Sequence, residues 1–193
     1  MLRELDPSIS AVSCGFRKLD AGDGVDVSQI PIESDEPAFF ASGCWFCPGT
    51  TAVVGKAAFD RVGGFDERLR RLEDLDWYLR FALAGGSLRV APVVMCDVRI
   101  GGRPRLSTVD AAARLILDKF NEGDLPSGMD PSLRNRLAAY LDLERAAAAW
   151  TEGPRSIGRA TLTAAYLARS FLRRPRGRLH LEAFWMDPQI ESE

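Results

Sequence analysis

Between Glu73 and Asp76 the chain places three carboxylates in four positions, Glu73, Asp74 and Asp76, at the head of an apolar-periodic run. A carboxylate at a helix start is held rigidly, and the positive field of the helix N-terminus favours its ionised form, so such a group can take a proton from a bound hydroxyl. The plainer reading is that acids favour a first helical turn. Cys44 and Cys47 have the C-X-X-C spacing of redox and zinc sites. One pair is too few for a structural zinc, and the single histidine, His180, is remote and reads as a surface imidazole. Buried thiols packing beside Trp45 and Phe46 are the default expectation, and a reversible disulfide is the alternative. Arg99, Arg103 and Arg105 form either a phosphate-binding cation cluster or a solvated basic loop, and Asp20, Asp23 and Asp26 read as a solvated loop.

Elements that would position these groups follow from periodicity and punctuation. Ile9 to Phe16 reads as a short strand, followed by a polar loop from Lys18 to Pro37. Thr50 to Val54 is a β-branched run, and Lys56 to Val62 is a helical turn or two stopped by Gly63 and Gly64. Leu75, Tyr78, Leu79, Ala82 and Leu83 keep helical spacing from about Glu73 to Ala84, ahead of Gly85 and Gly86. Val90 to Ile100 is the longest β-like run, with Pro92 pointing to an edge or a strand start. From Ser107 three helical stretches follow and the β part is expected to end. The first runs through Phe120, with Ser107 and Asp110 in a capping arrangement, and the second from about Pro131 to Trp150. The third has Ile157, Ala160, Ala164, Ala168 and Phe171 on one face and Arg155, Arg159, Thr163, Ser170 and Arg173 on the other.

The stretch from Pro48 to Arg80, PGTTAVVGKAAFDRVGGFDERLRRLEDLDWYLR, resembles the acceptor-side half of family 2 glycosyltransferases of the GT-A fold. The ordered markers are Pro48-Gly49-Thr50, Gly63-Gly64-Phe65-Asp66-Glu67, Glu73-Asp74 and the tail from Asp76-Trp77 to Arg80. The resemblance is strongest from Ser42 to Ser107. It implies inverting transfer of a sugar from a nucleotide-sugar donor to an acceptor hydroxyl, in glycan or cell-envelope polysaccharide synthesis, with Asp74 as general base. Gly49, Thr50, Gly64, Phe65, Asp66, Glu67, Glu73, Trp77, Arg80 and Arg99 are the substrate-binding positions it suggests. The family's donor half, which ends in an Asp-X-Asp that carries Mg²⁺ or Mn²⁺, has no counterpart, so the chain reads as truncated and no metal site is assigned within it. Asp74-Leu75-Asp76 spells Asp-X-Asp but opens a helix instead of ending a strand. The family's His after the long strand is also replaced, by Gly101, Gly102 and Arg103.

The expected fold is therefore α/β: a partial GT-A-like mixed sheet with flanking helices over residues 1–106, then a helical extension over 107–193. With 193 residues, 46% apolar and 27% charged, the chain fits one globular domain, and its net charge of −2 argues against a nucleic-acid partner. The absence of a signal-like start and of a long apolar run predicts a cytoplasmic protein. The basic segment Arg155 to Arg178 is read in two ways. It either meets an anionic membrane at its inner face, or docks its apolar face on the α/β part with its arginines solvated. An exposed sheet edge predicts a homo-oligomer. The competing functional class is a non-catalytic interaction or membrane-associating module derived from such a transferase.

Overall fold

In chain order the elements are β1 (Ser10–Leu19), β2 (Val27–Pro31), α1 (Pro37–Phe40), α2 (Pro48–Thr51), β3 (Val53–Val54), α3 (Lys56–Val62), α4 (Glu73–Leu83), β4 (Ser87–Arg99), α5 (Leu106–Asn121), α6 (Pro131–Thr151), α7 (Ile157–Arg173) and β5 (Trp185–Met186). They come from a computed structural model that describes residues 10–19, 27–99, 104–121, 129–154, 156–174 and 185–186. Asp20, Asp23, Asp26, Arg103, Arg155, Arg176, Arg178 and His180 lie outside the described residues.

The chain is mixed α/β. The sheet is organised by β1, buried from Ser10 to Phe16. It pairs parallel with β4 along its whole length and antiparallel with β2 and β3 on its other side. The Lys18–Pro37 segment is thus more than a loop, since it holds β2 and the start of α1. Sequence reading also ends the β part at Ser107, yet Trp185–Met186 returns to pair with β2. Two residues are too few to leave a period-2 signal.

Pro92 lies inside β4, which starts at Ser87 instead of Val90. The ladder runs Cys14 against Ala91 and then Gly15 against Val94, so Pro92 and Val93 are looped out in a bulge. A proline cannot donate to a ladder, and the bulge removes that demand. The β-branched run at Thr50 likewise resolves differently: Pro48 at the first helical position starts α2, and only Val53–Val54 is strand.

The core lies between the sheet and α4, whose Leu75, Trp77, Tyr78, Leu79, Phe81 and Ala82 are all buried. Trp77 stacks on Phe59 at 4.6 Å and on Phe81 at 5.5 Å. Phe40, Phe46 and Tyr78 add edge-to-face contacts on the far side of α4. Ala113, Ile116 and Phe120 of α5 and Leu137 and Leu141 of α6 belong to the same apolar cluster. Ser107 falls inside α5 and does not cap it. Glu152, at the far end of α6, accepts the Leu106 N–H at 3.0 Å, while Asp110 pairs with Arg114 and Arg145.

The largest departure from the docking expectation concerns α7. Its arginine-bearing side packs on α6 and its apolar side faces out. The cause is Asp142, completely buried on α6, which receives Arg145, Arg169 and Arg173. A buried carboxylate needs cations more than an alanine-rich stripe needs cover. Among the described residues no helix is long and apolar enough to cross a membrane.

Candidate functional site

Among the described residues, two that are not glycine take the left-handed backbone region, Cys47 at φ 50° and Leu72 at φ 61°. Each immediately precedes one of the sequence markers, Pro48-Gly49-Thr50 and Glu73-Asp74. Such conformations persist only where the surroundings enforce them, and they gather at functional sites. Leu72 is buried in the core, which holds the turn, and its carbonyl accepts the Asp76 N–H at 3.1 Å. Asp74 is thereby fixed at the mouth of α4, its Oδ1 accepting the Leu75 N–H at 2.8 Å.

Asp74 opens onto a cavity of about 250 Å³ lined by Cys44, Arg70, Arg71, Glu73, Tyr140 and Glu144, with Leu72 and Leu75 at its base. Burial pushes the Asp74 carboxyl up, and neighbouring Glu73 adds to this, while its hydrogen bond to Leu75 and the Arg71 charge pull the other way. The helix field expected to keep Asp74 strongly ionised is thus outweighed by desolvation. The consequence is chemical: a carboxylate whose proton affinity is raised is the stronger base.

The wall opposite α4 comes from α6. Tyr140 donates its hydroxyl to Glu144 Oε1 at 2.7 Å, and burial raises Tyr140 well above the ordinary phenol range. Its ring lies so close to the loop before Cys44 that a Cβ on Gly43 would meet Tyr140 Cε2 at 2.8 Å. Gly43 also has φ 130°, so a side chain there would be strained and would displace the ring. Sequence reading assigns Tyr140 only to an apolar stripe and assigns Glu144, Arg70 and Arg71 no role. Tyr140 and Glu144 stand one helical turn apart, but nothing in the sequence says which helix folds back over Asp74.

Of the positions the sequence singles out, Glu73 and Asp74 line the cavity. Asp76 does not: it is fully buried and bonded to Arg80 at 3.1 Å and Lys119 at 2.8 Å. Arg80 also donates to the carbonyls of Val62 and Gly64 at 2.7 and 2.8 Å, and Trp77 Nε1 donates to Gly63 at 2.7 Å. Asp66 is held by Arg68 and by Lys119 at 2.7 Å, and the Arg68 hydrogen bond, then that of Lys119, holds its carboxyl well below the usual range. Gly64, Asp66, Trp77 and Arg80 therefore fasten the Gly63–Asp66 turn to α4. Phe65 packs half-exposed against Phe59 and Trp77, and Glu67 is exposed. Gly49 and Thr50 sit exposed on α2, where Thr50 O approaches Cys96 Sγ, and Arg99 is exposed at the end of β4.

Cys44 borders the cavity, and burial pushes its thiol up, with the charge of Asp74 adding to the effect. Burial also raises Cys47. A thiol kept protonated is a poorer nucleophile, which works against thiol–disulfide exchange by this pair. The Asp-X-Asp reading of Asp74 and Asp76 fails on geometry, because Asp76 is already neutralised by Arg80 and Lys119. Among the described residues no group of three or more His, Cys, Asp or Glu side chains is placed to hold a metal ion. The described residues therefore offer no ligand set for the Mg²⁺ or Mn²⁺ that the resemblance implies. Compared with protein-family models, curated proteins and solved structures, the chain matches none.

Proposed function

We propose that this chain is the acceptor side of an inverting glycosyltransferase resembling family 2, on a GT-A-like sheet, with Asp74 as general base. The observation that carries the reading is a carboxylate of raised proton affinity, locked at a helix start, facing a polar cavity wide enough for a sugar ring. The acceptor hydroxyl donates to Asp74, which takes its proton as the oxygen attacks the donor's anomeric carbon and the nucleoside diphosphate departs. Arg70, Arg71 and Glu144 line the cavity and supply donors and an acceptor for the remaining hydroxyls, which orients the reacting one. The nucleotide sugar is bound outside this cavity.

Oligosaccharide-array binding by the full chain tests the acceptor cavity without requiring turnover. At least one saccharide should be retained, and Arg71→Ala or Glu144→Gln should weaken retention by about tenfold or more, the cost of one lost hydrogen bond to a charged group. Val53→Ser, on the exposed face of β3, should have no effect. Retention of no saccharide, or equal retention by the cavity variants, would overturn the proposal.

A further inference from the structure

The helix α7 is amphipathic but inverted, and the inversion leaves an apolar face uncovered. Ser170 is buried and donates to the Ala139 carbonyl at 2.8 Å, while Arg169 and Arg173 reach Asp142. At about 100° per residue, Ile157, Ala160, Ala164, Ala168, Phe171 and Leu172 project from the opposite side. All six are exposed, Ile157 at 87%, Phe171 at 65% and Leu172 at 75%. None of the three arginines of α7 lies within that arc. At its N-terminal end the stripe continues into Trp150, which shares a groove with Ile157 and Ala160.

Charge identifies what covers this face. Between Arg155 and Leu181 the chain has seven arginines and no acid, while the remaining residues hold 18 basic and 27 acidic side chains. Two copies meeting through α7 would bring two such basic segments together, at an electrostatic cost. The described part of the tail, Trp185–Met186, pairs with β2. An exposed aliphatic and aromatic stripe with an aromatic at one end, on a segment of seven arginines of which, among the described residues, Asp142 pairs only Arg169 and Arg173, matches the boundary of an anionic bilayer, where apolar groups enter the acyl region and guanidinium groups meet phosphates. We propose that α7 is an interfacial membrane helix, which lies in the plane of an anionic lipid surface with Ile157, Phe171 and Leu172 inserted. This rests on α7 alone and holds whether or not the cavity at Asp74 binds an acceptor.

The experiment is co-sedimentation of the full chain with vesicles of phosphatidylcholine alone and with about 30% phosphatidylglycerol. Wild type should bind the anionic vesicles, with at least about tenfold weaker binding to the neutral ones and loss of binding at high salt. Ile157→Glu with Leu172→Glu should reduce anionic binding by a further tenfold or more while the thermal midpoint stays unchanged, because both side chains already face solvent. Failure to bind anionic vesicles, or binding undiminished in the double variant, would overturn the proposal. So would a dimer by light scattering that the same variant dissociates, since a second copy would then be the occupant.

Discussion

Asp74 and Asp76 are two residues apart, and the fold gives them opposite work. Because burial raises Asp74 in the folded state, its ionised form is held against a penalty. That penalty is absent below the unfolded carboxylate value and develops as pH rises through the raised folded value. Asp74→Asn, which preserves the acceptor for the Leu75 N–H, should therefore raise the thermal midpoint by a few degrees near pH 7 and leave it unchanged near pH 3, as differential scanning calorimetry would show. Asp76→Asn should instead destabilise the fold. It removes the charge shared by Arg80 and Lys119 and should cost about 3–5 kcal/mol in denaturant titrations near neutral pH. The sequence made Asp74 visible because the surrounding markers are local. It could not separate the two acids beyond a helical angle of about 200°, since Lys119 arrives from a helix 43 positions away.

At the scale of elements, long periodic segments were legible and short or inverted ones were not. The pattern beginning at Glu73 gave α4 to within a residue at its C-terminal end, and the stripe of α7 was correctly split into two faces. Which face docks was not legible, because the answer depends on Asp142, a single buried acid on another helix. Asp142→Ala should strand Arg145, Arg169 and Arg173, at a cost of about 3–5 kcal/mol. In hydrogen exchange, α7 amides should lose protection first while those of α4 keep theirs. Equal loss across both helices would mean that α7 is not fastened by this cluster. The bulge at Pro92 carries the same lesson: a proline in a β-like run signals irregularity, but only the partner strand decides between an edge, a start and a looped-out residue.

For the molecule as a whole, one apolar cluster joins the sheet, α4, α5 and α6, so the cavity at Asp74 is built from both halves of the sequence. Lys119 is a principal tie, since it joins α5 to the Gly63–Asp66 turn through Asp66 and to α4 through Asp76. Asp66 is held below the usual carboxylate range, so its contribution is fully present above that range and is lost as pH falls from there through the depressed folded value. Asp66→Asn should flatten the acid limb of the stability-against-pH curve, and an unchanged limb would remove Asp66 from that role. The claim on which the rest depends is that Asp74 accepts the acceptor's proton. Under the proposed function, its most direct measurement is nucleoside diphosphate release from a nucleotide sugar, with the retained saccharide as acceptor. Asp74→Asn should lower turnover by about 10²–10⁴ while saccharide retention holds. Release by Asp74→Asn at the wild-type rate would contradict the assignment.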